Sequence, residues 1–376
     1  MPLDPFFADR LQRQRSHMIR QALEGVKRRV GWPWFMRPVA VAEASAATPA
    51  ARGEARAQAR AEVRDRVRQD KPHASVRRAE HRRIALSWDR EELRKVGTPG
   101  PAVHVVEHTV TVRGYPDVRV RLYYPDEHPP SPDERLPAFL VFFGGAFRIG
   151  GIDYPTTDAA HRRRAQAARV VMAAVDYALA PEYKYPAAVE QGHAALEWLF
   201  AHAADLGIDG ERIGVAGTSA GGNIAAAVAL MNRDRGGLPV RLQVLEVPVV
   251  DLTGRHIDLS ATRRLGIPSL IVARELASVA RTYLRHRRDA REPYASPLRA
   301  ASLERLPPAV VFTAQYDPLR GDGAAYAAAL REAGVEASAV QYLGVTHDIS
   351  IFTRALAAAR RWEADVVAAL RSLHAA

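Results

Sequence analysis

The chain has 376 residues, enough for one large domain with additions or two to three smaller ones, and its 48% hydrophobic and 25% charged content suits a globular protein with an ample core. It contains no cysteine, which excludes disulfides, thiolate metal sites and a cysteine nucleophile, and no run approaches the ~18 apolar residues that a membrane span needs. The net charge of +11 is concentrated at one end: residues 1–100 hold 22 Arg and Lys against 12 Asp and Glu.

In chain order, Phe7, Leu11, Met18, Ala22 and Val26 recur at mostly three- and four-residue spacings, which predicts an amphipathic helix within residues 1–30. No basic segment leads into an apolar core there, so a signal peptide is not expected and a cytoplasmic location is. Gly31-Trp32-Pro33-Trp34-Phe35-Met36 is a compact aromatic cluster, and Pro33 keeps it out of a helix. These aromatics suit the inner wall of a cap better than a membrane dock. Residues 40–75 read as an Ala- and Arg-rich linker and an exposed helix, and 76–95 as a further helix. The basic excess follows a general preference for arginine over lysine, and nucleic acid is not an expected partner. The expected organisation is a basic helical region over 1–100 and a catalytic domain over 101–376 with an insertion near 255–290.

From about residue 103 the pattern changes. HVVEHTVTV and DVRVRLYYP alternate apolar and polar residues around Arg113-Gly114-Tyr115-Pro116, predicting an antiparallel hairpin. Apolar runs at 138–143, 170–175, 212–217, 242–250 and 309–314 then alternate with helical segments. This predicts an α/β fold, a mostly parallel sheet covered by helices on both faces.

ERIGVAGTSAGGNIAAAVALMN places a serine, Ser219, in a GxSxG between a predicted strand and a predicted helix. This context is the nucleophile elbow, which lifts the hydroxyl to the top of the sheet at a helix N-terminus. A serine nucleophile needs a base, and the base an acid to fix its tautomer. Of the four later histidines, His256 and His286 fall in an Arg-rich insertion and His374 in the terminal helix, whereas His347 follows an alternating strand in a loop. Asp317 follows the apolar strand AVVFTA and fits the order Ser, acid, His; Asp251 also ends an apolar run but falls one strand early. VFFGGAF (141–147) is a buried strand that stops at two glycines, where backbone is able to approach a ligand closely.

With these motifs in place, the chain resembles the hormone-sensitive-lipase-like carboxylesterases with an HGGG motif, a group of the α/β-hydrolases. The matching stretches are FFGGAF (142–147), DYALAPEYKYPAAVEQ (176–191), GTSAGGN (217–223), EPYASPL (292–298), TAQYDPLRGDG (313–323) and GVTHDI (344–349), in the family's order over roughly 103–375. The resemblance implies a helical cap and a cofactor- and metal-free esterase for short- to medium-chain acyl esters, with a homodimer by analogy. It assigns Ser219 as nucleophile, His347 as general base and Asp317 as its orienter. It assigns the oxyanion amides to Gly144, Gly145 and Ala220, and leaves Glu182 a supporting role. An amidase or deacetylase, or a silent ligand-binding protein on the same fold, are the alternatives. Phe143 and Ala146 replace the His and third Gly of HGGG, Thr218 replaces an Asp before the nucleophile, and Asp348 a Gly after the histidine. Phe143 lacks the polar tether of a histidine, so packing must set the loop. Asp348 is expected to raise the pKa of His347.

Overall fold

The computed structural model describes residues 1–10, 74–131 and 133–375. Residues 5–10 are helical; the rest of the helix expected within 1–30, the aromatic cluster at 31–36 and most of the segment 40–75 lie outside the described residues. The chain forms two compact units, residues 5–84 and residues 1–4 with 85–376. Helix α1 (Ala74–Lys95) matches the helix expected over 76–95.

The larger unit is built on β1 (Val105–Val110), β2 (Val118–Tyr123), β3 (Leu136–Phe142), β4 (Val171–Val175), β5 (Ile208–Thr218), β6 (Val240–Glu246), β7 (Ala309–Ala314) and β8 (Ala337–Tyr342). They form one sheet in the order β1-β2-β4-β3-β5-β6-β7-β8. β2 is antiparallel to both β1 and β4, and every other pairing is parallel. β3 and β4 are buried along their whole length, as their uninterrupted apolar runs require when both faces are covered. Helices α2 (Pro155–Ala168), α3 (Ala187–Ala201), α4 (Ala220–Arg235), α7 (Arg320–Glu332) and α8 (Ala357–Arg371) flank the sheet. The insertion after β6 carries α5 (Leu259–Arg264) and α6 (Ser269–Tyr283).

The run 242–250, expected as one strand, stops at Glu246. Val247 turns left-handed (φ 42°), and Pro248 has no N–H to donate to a ladder. Asp251 therefore lies in a loop rather than at a strand end. Its carboxylate is buried and committed to Arg299 (3.0 Å) and Thr253.

Candidate active site

Four loops at the carboxyl ends of parallel strands converge, the location at which open α/β sheets bind ligands. Ser219 is the one-residue turn between β5 and α4, with φ 56° and ψ −114°. Such a backbone is strained for any residue with a side chain and persists only where its surroundings enforce it. A Cβ on Gly217 would lie 2.2 Å from the carbonyl oxygen of Gly221, and one on Gly221 2.1 Å from that of Phe142, so both flanking positions exclude larger residues. The Ser219 amide donates to the Glu246 carbonyl (2.8 Å), which fixes the turn against β6.

His347, after β8, places Nε2 3.0 Å from Ser219 Oγ and Nδ1 2.7 Å from Asp317 Oδ2. The Asp317 side chain is 1% exposed and that of His347 32%. The other three candidate histidines are engaged elsewhere: His256 faces Asp251 at 3.8 Å, the His286 amide donates to Asp289, and His374 meets the Ala168 carbonyl at 3.0 Å. Glu182 is exposed and does not line the cavity at Ser219.

The loop after β3 brings Gly144 against Ser219: a Cβ there would lie 3.5 Å from Ser219 Cβ. Gly145 has φ +137°, and its carbonyl accepts from the Arg148 and Ile149 amides at 3.0 and 3.1 Å. The amides of Gly144 and Gly145 meet no acceptor among the described residues. Ala220 opens α4, where an amide has no intrahelical acceptor. Phe143 stacks on Tyr177 (ring centroids 4.1 Å, 12° between planes), and the Tyr177 hydroxyl donates to the Phe143 carbonyl at 2.8 Å. Packing plus one phenol thus does the work of a histidine tether. Ala146 sits at φ 54°, a left-handed conformation better suited to the glycine it replaces.

The model of the alpha/beta hydrolase fold family matches residues 139–351, which contain every residue of this cluster. The chain belongs to the α/β-hydrolase family. The hydrolase is 37% identical over 295 residues to carboxylesterase NlhH of Mycobacterium tuberculosis, covering 76% of this chain and 89% of that protein. It is 40% identical over 238 residues to the esterase LipI of the same species, covering 62% and 71%. Among solved structures, the thermostable carboxylesterase EstE1 from a metagenomic library is similar with a TM-score of 0.70 at 37% identity, over 79% of this chain and 97% of that one. An esterase of Pyrobaculum calidifontis gives 0.70 at 38% identity, over 82% and 95%.

The cavity in front of Ser219 measures about 380 Å³. Trp88, Leu93, Ile149, Tyr154 and Ile351 give it apolar walls, and Gly144, Gly145 and His347 line its reactive end. The carboxylate of Asp89 holds the start of α2 in place, accepting from the Thr156 amide (2.9 Å) and hydroxyl.

Beneath Ser219 lies an ionic network that sequence reasoning missed. Arg164 of α2 grips Glu246 of the hydrolase with two bonds, 2.7 and 3.0 Å, and reaches Glu363 at 2.9 Å. Glu246 also accepts from Trp362 Nε1 (2.6 Å) and from the Thr218 hydroxyl (3.1 Å). Thr218 is therefore one arm of a buried carboxylate's hydrogen-bond set. Burial would raise the Glu246 pKa, but the Arg164 charge and the bonds from Arg164, Trp362 and Thr218 outweigh it and hold it below the usual carboxylate range. The signal available in the sequence was a glutamate inside the apolar run LQVLEVPVV, a buried charge that must have a partner. Arg164→Met leaves Glu246 and Glu363 without their shared cation, and the expected cost is about 3–5 kcal/mol of stability, read from urea unfolding. A loss below about 1 kcal/mol, the value of an exposed pair, would contradict a structural role for the network.

Burial opposes the cationic form of His347, yet the Asp317 charge and hydrogen bond, with a further contribution from Asp348, raise its pKa to about 9. Because this exceeds the unfolded value of ~6.5, the Asp317–His347 pair stabilises the fold fully below about pH 6.5, and that contribution is lost as pH rises through about 9. A base must be neutral to act, so kcat/KM should climb with pH and level off above about 9. Asp348→Asn removes a negative charge and should move this rising limb to lower pH. An unchanged limb in the variant would show that Asp348 has no electrostatic influence on the base.

Proposed function

We propose that the hydrolase is a carboxylesterase in which Ser219, His347 and Asp317 form the catalytic triad and Gly144, Gly145 and Ala220 supply the oxyanion hole. The observation that carries this reading is the continuous line Asp317–His347–Ser219, with contacts of 2.7 and 3.0 Å, and the approach of Gly144 to Ser219 supports the placement of the hole. Ser219 Oγ attacks the ester carbonyl as His347 Nε2 takes its proton. Asp317 holds the imidazole in the required tautomer and stabilises the resulting cation. The carbonyl oxygen, now an anion, lies among the three amides. His347 returns the proton to the departing alcohol, leaving an acyl-serine. Water, deprotonated by the same His347, attacks this acyl group and releases the acid and Ser219.

The cavity of about 380 Å³ lies near the lower end of the ~300–1,000 Å³ found for small-molecule sites, which supports short- to medium-chain acyl groups. The carboxylesterases and esterases to which the chain is similar support ester rather than amide cleavage. No helix among the described residues is long and apolar enough to cross a membrane. A cytoplasmic location is part of the proposal, as is a homodimer through β8, the strand at the sheet edge, in which Val340 and just after which Leu343 are exposed.

A p-nitrophenyl ester series from acetate to decanoate tests the proposal. Turnover should peak at short to medium chains and depend on Ser219. Hydrolysis of anilides but not of esters would replace the reading with an amidase, and no turnover of either would favour a silent binding protein.

A further inference from the structure

A second cavity, of about 960 Å³, lies between α6, the loop after β6 and the segment 284–291, and shares no lining residue with the cavity at Ser219. Leu252, Leu276, Ala280 and Leu319 contribute to its apolar wall. Arg281, Arg285, Arg287, Arg288 and Arg291 also line it, and all five are exposed.

Arg255, Arg263, Arg264 and Arg274 of the same insertion, like these five, have no ion pair among the described residues. Arg148, Arg299 and Arg320 of the same region are ion-paired, to Glu275, Asp251 and Asp258. Those three acids are thereby committed, and the fourth acid of residues 251–291, Asp289, accepts from the His286 amide at 2.7 Å. None of the five arginines has an ion pair or side-chain hydrogen bond among the described residues. The segment thus holds a surplus of positive charge around an apolar recess.

We propose that this cavity binds a single-chain amphiphile with an anionic head, of the long-chain carboxylate class. The chain fills the apolar recess, and the head meets the guanidinium groups, whose planar fork matches a carboxylate. The cavity size lies within the range for drug-sized ligands. A flat anionic bilayer fits less well. On α6 the exposed apolar pair Leu270 and Ile271 stands near Arg274 and Glu275, one charge of each sign, whereas Arg281, the first of the five lining arginines, lies about 16 Å further along the helix, so the positive surplus gathers at the recess. The ligand is longer than the acids that the proposed short- to medium-chain esterase releases, and its binding does not rest on that reading.

The test uses the full chain with Ser219 first blocked by diethyl p-nitrophenyl phosphate, so that the catalytic cavity is occupied. Palmitate below its micelle concentration is titrated by calorimetry. The expected result is one saturable site that weakens with added salt. Ala280→Trp, which fills the recess, should abolish it. The combined variant Arg285→Gln, Arg288→Gln, Arg291→Gln should weaken it about tenfold or more, and hexadecanol should bind about tenfold more weakly than palmitate. Absence of saturable binding, equal affinity in the triple variant, or binding only to phosphatidylglycerol vesicles would overturn the proposal, the last in favour of surface docking. If the phosphate fails to label Ser219, the esterase reading falls. Palmitate titration of Ser219→Ala, with and without Ala280→Trp, then still decides the second cavity.

Discussion

Ser219→Ala is expected to lower kcat on p-nitrophenyl esters by about 10⁶-fold while the protein stays folded. The size of the effect follows from how the three residues work together. Without Oγ, the proton that His347 would accept at 3.0 Å does not exist, and the Asp317–His347 pair has nothing to activate. Rate above that of water then comes only from substrate binding and the oxyanion amides, about 10³–10⁴-fold. The fold should tolerate the change, because alanine is asked to adopt the same strained turn and the bond from the residue 219 amide to the Glu246 carbonyl is a backbone bond. Circular dichroism and a melting curve establish the folded state, and a stoichiometric phosphonate adduct on wild type but not on the variant establishes the site. Turnover within about a hundredfold of wild type would remove Ser219 as the nucleophile.

Gly145→Ala should cost about 10²–10³ in kcat, the usual consequence of losing an oxyanion donor, with KM changed far less. The added Cβ would lie 2.0 Å from the Ile149 carbonyl oxygen and 2.7 Å from its carbon, and the residue sits at φ +137°, which alanine avoids. Something must move, and the atom in the way is backbone. The amide of residue 145 would rotate out of line while the triad, held by other strands, stays in place. Binding a substrate and stabilising its tetrahedral intermediate should therefore come apart in this variant. A folded protein with kcat within a few-fold of wild type would mean that the residue 145 amide is not part of the hole.

The sequence was most informative where several physical demands met in a few residues. Ser219 was legible because a strand, two obligatory small flanking residues and a helix all coincide there. His347 and Asp317 followed from chain order and from their position just after strands. The central strands were legible because burial on both faces forbids polar interruption. Where one demand stood alone, reading was poorer. The apolar run 242–250 gives no sign of where its strand ends, since Val247 and Pro248 are apolar but leave the ladder. The helix α2 (PTTDAAHRRRAQAA) has three successive arginines, yet only a three-dimensional fold reveals that Arg164 points inward to Glu246 and Glu363. Long-range ionic partners leave no spacing rule in a single chain. The division at residue 100 was drawn from charge, while the compact unit begins at Ala85 and takes in the end of α1.

The Tyr177 clamp on the loop after β3 has a bearing on how acid affects the enzyme. Phe143 has no proton to exchange, and burial, with Tyr283 and Asp176 nearby, drives the Tyr177 phenol well above its ordinary range. A histidine at position 143 would have introduced a second titration next to that of His347. On the proposed reading, acid protonates His347 and leaves the loop after β3 in shape. The loss of activity as pH falls through about 9 should therefore be a single-proton event, reversed as fast as buffer can be mixed, with no loop to rebuild.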